Sequence, residues 1–324
     1  MKQMIKSIKV FYRTLGKKCS GLLLAFIFLF HFAFLHSDQR ITQDHVPTKD
    51  DQFSSASSEE AYLSQDDVAD ALGEMQRQIT DIKTRCHRLI RMGGIVACEC
   101  QTNKCYTDGA KLLCFDEDVK PMPRACNAFS FGIGFDLSFD KALVNYGCHV
   151  TAFDPTNINI TDTVHNGTLQ ALTIGLDDRN YQYVLNMTFD RVNTEVHIAS
   201  YMTYNTVLKM LGNPKVDILK IDIEGAEWRV LRQIVNSQKA KELLKYIKHI
   251  LLEIHLEFLT QKVDLATLYE EAVSVLEIFK SLERLGFYLA AYELNETQPR
   301  NFLFGDLHIP VYREVTLIRR DFSL

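Results

Sequence analysis

The chain lacks any excess of basic charge: 36 Lys and Arg stand against 41 Asp and Glu, a net charge of -5 at pH 7. That balance gives no electrostatic reason to expect nucleic acid as a partner. It also lacks an internal repeat, which excludes a solenoid. Its cysteine-rich stretch CECQTNKCYTDGAKLLC lacks the C-x2-C pairs usual at structural zinc sites. Disulfides are therefore the preferred reading for Cys86, Cys98, Cys100, Cys105, Cys114, Cys126 and Cys148, with their connectivity open and one of the seven left over.

The first 20 residues lack an acid but hold Lys2, Lys6, Lys9, Arg13, Lys17 and Lys18. They run into GLLLAFIFLFHFAFLHS, residues 21–37, an apolar block with no polar face. A buried amphipathic helix does not fit such a block, and its length is near the lower limit for a membrane span. The long basic flank, and the absence of a small-x-small site after Phe34, favour an uncleaved signal anchor over a cleaved signal peptide. Basic residues before the span place the N-terminus in the cytoplasm. The expectation is a single-pass type II membrane protein facing the Golgi or endoplasmic reticulum lumen, with a secreted chain as the alternative. Sequons at Asn159, Asn166, Asn186 and Asn295 agree with lumenal placement.

Residues 1–20 thus read as a cytoplasmic tail, 21–37 as the anchor or signal peptide and 38–63 as a polar, flexible stem. Residues 64–92 carry Val68, Leu72, Met75, Ile79, Ile82, Cys86 and Leu89 at alternating spacings of four and three, a heptad seam. Ser64 and Asp67 can cap its start, and Gly93–Gly94 can end it. Two readings stay open: a coiled coil that makes a homodimer cross-linked by Cys86, or one amphipathic helix lying on its own domain.

Residues 93–324 form the remaining domain, cysteine-rich at its start. From Cys126 strand and helix patterns alternate: ACNAFSFGIG, SFDKALVNYG, HVTAFDPT, GTLQALTIGL, TYNTVLKMLG, VDILKIDIEG, AEWRVLRQIV, HILLEIHL and a long helix over DLATLYEEAVSVLEIFKSLERLG. GFYLAAYELN and YREVTLIRR close the chain as strands. Such alternation implies an α/β fold with a mostly parallel sheet covered by helices.

Ligands in such sheets sit at the carboxyl ends of the strands. Gly132 and Gly134 in FSFGIGFD let the backbone turn tightly beside a ligand. Asp154 closes the next strand twenty residues after Gly134, the spacing of an acid that holds an adenosine ribose. Lys220, Asp222 and Glu224 recur at every second position of VDILKIDIEG, and Glu253 and His255 do so in HILLEIHL. Unpaired buried charges are costly, so two strands with this pattern point to a cleft. Asp222, Glu224, Glu253 and His255 could also gather a divalent cation. The acid–base role is preferred, and no metal is assigned.

FGIGFDLSFDKALVNYGCHVTAFDPT, VDILKIDIEGAEWRVL and ILLEIHL resemble the methyltransferase-like protein 24 family, and LKIDIEGAE is also similar to FkbM-type methyltransferases. The resemblance runs from about Gly93 to the C-terminus. It implies a Rossmann-like class I methyltransferase with a seven-stranded sheet ending in an antiparallel hairpin, using S-adenosyl-L-methionine. By motif, Phe131, Gly132, Gly134, Asp154 and Asp222 would line the cofactor, while Asp222 and Glu224 would face the transferred methyl. The general class often shows a fuller E/D-x-G-x-G-x-G; here Phe131 precedes the first glycine and Phe135 follows the second. The expected reaction is O-methylation of a glycan or small-molecule hydroxyl, with His255 or Asp222 as base; the alternative is an inactive scaffold of the same fold.

Overall fold

The computed structural model describes residues 63–98, 105–134, 136–156, 169–188, 194–261, 263–295, 297 and 299–320. The expected tail, anchor and stem lie outside these residues, as do Cys19, Cys100, Asn159 and Asn166. Among the described residues no helix is long and apolar enough to cross a membrane. The chain divides into two compact units; the larger, Leu63–Ile95 with Thr107–Leu324, carries the elements that follow.

Seven strands make its main sheet: β1 (Asn127–Phe131), β2 (His149–Phe153), β3 (Leu169–Leu172), β4 (Ile218–Ile221), β5 (His249–His255), β6 (Phe287–Leu294) and β7 (Tyr312–Arg319). Their order is β3-β2-β1-β4-β5-β7-β6. Strands from β3 to β5 are parallel, and β7 runs antiparallel to both β5 and β6. The sheet is thus mostly parallel with a C-terminal antiparallel hairpin, as the sequence implies. Strand order reverses between β1 and β4, the place where open α/β sheets form a ligand crevice at the carboxyl ends of their strands.

Among the described residues six α-helices accompany the sheet: α1 (Gln65–Thr80), α2 (Ser138–Tyr146), α3 (Tyr204–Met210), α4 (Glu227–Val235), α5 (Ala240–Leu243) and α6 (Leu265–Arg284). Strands β4 and β5 are buried along their whole length, as expected for strands covered on both faces. Phe129, Phe131, Leu219, Ile221, Leu252 and Ile254 pack in one large core with apolar residues of α1, α3, α4 and α6. The alternate residues Ala128, Val150, Ile218 and Leu251 pack instead with Leu113 and with Phe139 and Leu143 of α2. Ser130, Lys220, Glu253 and Glu314 share the parity of this second, more thinly covered face.

Helix α1 starts as expected, with Ser64 and Asp67 closing a capping box. It ends at Thr80, so the heptad does not continue to Leu89. The chain leaves the helix because Cys86 bonds Cys114 and Leu89–Met92 pairs antiparallel with Lys111–Cys114. Val68, Leu72, Met75 and Ile79 are buried in the same core as Ala272, Val275 and Phe279 of α6. Within the chain these seam residues pack against α6, and Cys86 forms a disulfide with Cys114. A second disulfide, Cys126–Cys148, joins the start of β1 to the residue before β2.

The sequence reading assigns no element to residues 181–202, yet Tyr181–Thr188 and Thr194–Met202 pair antiparallel, and Ile174–Leu176 joins them. The predicted strand GTLQALTIGL is therefore split between two sheets. Asn301–Phe304 and Leu307–Pro310 form another unanticipated hairpin.

Candidate active site

The glycine turn is stitched to its neighbours beyond the ends of the strands. Gly132 N donates to the Phe153 carbonyl at 2.9 Å, and Asp222 N donates to the Phe131 carbonyl at 3.2 Å. Gly132 has φ +75°, and a Cβ there would fall 1.5 Å from the Asp222 carbonyl oxygen. No other residue fits that position without moving the backbone. Gly134, at φ +49°, faces open space. Lys220 Nζ braces the turn by donating to the Phe131 carbonyl at 3.4 Å and to the Gly132 carbonyl, and it pairs with Asp222 Oδ2 at 3.3 Å. The Phe131 ring does not line this crevice. It is buried and stacked on Phe153 at 4.3 Å, so Phe131 contributes its backbone only.

Asp154 stands at the carboxyl end of β2, beside the turn. Its Oδ2 accepts from Ile133 N at 3.1 Å and Gly134 N at 2.7 Å. Its Oδ1 accepts from Thr156 N at 2.8 Å and Thr156 Oγ1 at 2.6 Å. A carboxylate has about four acceptor positions, so all are taken. In this state the side chain holds the glycine turn in shape, and a ribose would have to displace Thr156.

Beyond β4 and β5 the charged residues gather as the alternation implies, around a lysine that the sequence reading missed. Lys111 Nζ, 2% exposed, lies 3.4 Å from Asp222 Oδ2, 3.7 Å from Glu253 Oε2 and against Glu314 Oε1. Burial opposes its charge, but Glu314, Asp222 and Glu253 raise its proton affinity above the ordinary lysine value. Burial likewise opposes ionisation of Asp222, yet Lys220, Lys111 and His255 hold its carboxyl far below the usual range. Magnitudes explain the outcome: a contact at this range is worth about 5 kcal/mol at an effective dielectric near 20. Two such contacts exceed a burial penalty of several kcal/mol. Glu253 is shifted the other way, raised by burial and by the charges of Asp222 and Glu314. Its Oε1 accepts from Asn295 Nδ2 at 2.7 Å. Asn295 of the fourth sequon is itself buried, with its amide facing Glu253.

The strand pattern stops at Ile221, and Glu224 leaves it with φ +57°. Glu227, the first residue of α4 and fully buried, shapes this loop. Its Oε1 accepts from Ile223 N at 2.6 Å and its Oε2 from Gly225 N at 2.9 Å. The same Oε1 lies 3.1 Å from His255 Nδ1. The loop carries Glu224 to within 3.6 Å of His255 Nε2. Burial disfavours a charged imidazole, but Glu227, Glu253 and Asp222 together raise the proton affinity of His255 well above its ordinary value.

The structure thus brings Gly132, Gly134, Asp154, Asp222, Glu224 and His255 to one edge, as the motifs imply. Lys220 joins them, as the alternation of VDILKIDIEG implies, and the structure adds Lys111, Glu227, Asn295 and Glu314. Glu227 was legible in principle as the second acid of IEGAE; Lys111 and Glu314 come from distant strands with no local signal. Two surface hollows lie elsewhere. One of about 610 Å³ lies between Thr84, Arg88, Asp116 and Arg320, and one of about 160 Å³ is lined by Asn127 and His149. Both are at the amino-terminal edge of the parallel strands, and Arg320 is already paired with Asp116 and Asp118.

Residues 191–289 match the family model described as Methyltransferase FkbM domain. The chain is 26% identical over 225 residues to a Rattus norvegicus protein named "Probable methyltransferase-like protein 24", covering 65% of this chain and 58% of that one. It is 28% identical over 138 residues to the Homo sapiens protein of that name, covering 42% and 34%. It therefore spans 58% or less of the length of these relatives. A solved structure of the Methanococcus jannaschii fibrillarin pre-rRNA processing protein aligns over 62% of this chain and 69% of its own, with TM-score 0.35 and 12% identity. The motifs, the family model and the curated relatives agree: the chain is similar to FkbM-type methyltransferases over residues 191–289 and to methyltransferase-like protein 24.

Proposed function

We propose that the chain is an S-adenosyl-L-methionine-dependent methyltransferase acting on a hydroxyl of a glycan or small molecule in the secretory pathway, held there by its N-terminal apolar segment. One observation carries the catalytic part: Gly132, Asp154 and Asp222 converge at the β1–β4 reversal, with the Gly132 backbone against the Asp222 carbonyl. The residues present fit such a cofactor. Gly134 leaves open space where a side chain would stand, and an acid closes β2 beside it.

When bound, the cofactor supplies a methyl group on a sulfonium. Gly132 and Gly134 would border its methionine part, and Asp154 would take its ribose by exchanging the two Thr156 bonds. Asp222 would present an ionised carboxylate toward the positive sulfur side. Glu224 and His255 would face the acceptor, and alignment is the main service these groups perform. Neither residue expected to act as base is suited to it near neutral pH. Asp222 is too weakly basic, and His255 retains its proton among the surrounding acids. With its Nδ1 fixed by Glu227, His255 instead offers Nε2 as a hydrogen-bond donor to the acceptor oxygen.

The scaffold reading has one observation in its favour, the four filled acceptor positions of Asp154. Calorimetry of the purified protein with S-adenosyl-L-methionine, followed by transfer assays on hydroxylated acceptors, separates the two. Binding with transfer supports the enzyme. Neither heat nor transfer at high protein concentration supports the scaffold.

A further inference from the structure

The acceptor side of this crevice has the composition of a metal centre. One donor atom each from Asp222, Glu224 and His255 lies within 4.8 Å of the other two, and Glu224 Oε2 is 3.6 Å from His255 Nε2. Ligand bonds of about 2.1 Å place cis donors about 3 Å apart and trans donors about 4 Å apart, so small side-chain movements would close the set. The histidine is what distinguishes this group from a cluster of acids. It is 4% exposed, and its Nδ1 is committed to Glu227, which is itself fully buried. That leaves Nε2 directed at the two carboxylates, with Glu227 fixing the ring from behind as carboxylates do for metal-bound histidines. Glu253 does not belong to the set, since Asn295 and Lys111 already hold it. Both lysines approach Oδ2 of Asp222, which places their charge on one side of that carboxylate. The other group of this kind, Cys86, Cys114 and Asp116, is disqualified because its sulfurs form a disulfide.

We propose that Asp222, Glu224 and His255 bind one divalent cation, which takes the place of the proton on His255 Nε2, with Glu227 as the residue that positions His255. Two carboxylates and one imidazole suit a Mn²⁺-like ion, and three protein ligands leave positions for water or an acceptor oxygen. Such an ion would lower the pKa of a bound hydroxyl, which would then release its proton to solvent water rather than to a protein base.

The site stands on the crevice geometry and is tested without any methyl transfer. Mn²⁺ titrated into the purified full chain is followed by loss of the free-ion paramagnetic resonance signal, and spin-echo modulation reports coupling to an imidazole nitrogen. We expect one saturable Mn²⁺ per chain with a nitrogen coupling. Asp222→Asn and His255→Ala should abolish tight binding, and Glu227→Gln should weaken it by about 10–100-fold. Circular dichroism checks that each variant is folded. If a variant does not fold, the nitrogen coupling of the unsubstituted chain decides. No saturable binding at millimolar Mn²⁺, binding without nitrogen coupling, or binding unchanged in folded Asp222→Asn would overturn the site. A chain that binds S-adenosyl-L-methionine but not Mn²⁺ refutes this site alone; the converse result refutes the methyltransferase reading alone.

Discussion

Replacing Glu227 by Gln keeps the volume of the side chain and removes one acceptor. The two carboxylate oxygens receive Ile223 N, Gly225 N and His255 Nδ1. An amide can satisfy only one side of that arrangement; its NH2 then faces a donor, most cheaply the Gly225 N–H. An unsatisfied buried donor costs about 1–3 kcal/mol. Loss of the buried ion pair with His255 costs about 3–5 kcal/mol when one partner is simply removed, and less here because the histidine can release its proton. Glu227→Gln should therefore destabilise the protein by about 3 kcal/mol, which for a unit of this size lowers Tm by about 6–12 °C. Glu224→Gln, at an exposed side chain, is the control and should stay within about 0.5 kcal/mol. Urea denaturation of the two variants and the parent provides the comparison. A loss below about 1 kcal/mol for Glu227→Gln, or equal losses for both variants, would refute the claim that Glu227 organises this loop.

Four other variants test separate parts of the account. Gly132→Ala should cost at least about 3 kcal/mol, because it combines a left-handed φ with a collision against the Asp222 carbonyl. Gly134→Ala should cost about 1 kcal/mol from its φ alone, so equal urea midpoints would contradict the cradle. Burial holds the His249 imidazole down to about 4, below its ordinary 6.5. The unfolded chain thus takes the proton first: His249 costs nothing above pH 6.5 and removes up to about 3 kcal/mol as pH falls to 4. His249→Gln should flatten that part of the stability–pH curve, and an unchanged slope between pH 7 and pH 4.5 would exclude the assignment. Converting Cys126 and Cys148 to Ala opens a link spanning 22 residues and should cost about 3 kcal/mol by the loop-entropy model, read from the same denaturation curves.

The alternation from Cys126 onward was legible because β4 and β5 are short apolar runs bounded by turn signals, and α6 has a long apolar face. The heptad over residues 64–92 misled past Thr80 because a seam records only which residues face an apolar surface. The surface proved to be α6 of the same chain, and Ile82 and Leu89 fall outside it. The hairpin over residues 181–202 was hidden by its outward apolar side chains: Tyr183, Val184, Val196 and Ile198 are exposed, so no buried alternation marks it. In the site, Asp222, Glu224 and His255 declared themselves as charges in, or directly after, short apolar runs. Lys111 did not, since nothing in GAKLLC reveals that antiparallel pairing will carry its amine beneath three carboxylates. The occupation of Asp154 by Thr156 was equally invisible, because motif spacing fixes a place and not a hydrogen-bond partner.

The central claim is that the glycine turn and the loop after β4 form one cofactor pocket. Amide hydrogen exchange of the purified protein, with and without S-adenosyl-L-methionine, addresses it directly. The account predicts slowed exchange in two stretches together, residues 132–134 and 223–225, with Thr156 altered as it releases Asp154. Protection confined to the amino-terminal edge around Asn127, His149 or Arg320, or no protection at saturating cofactor, would contradict it.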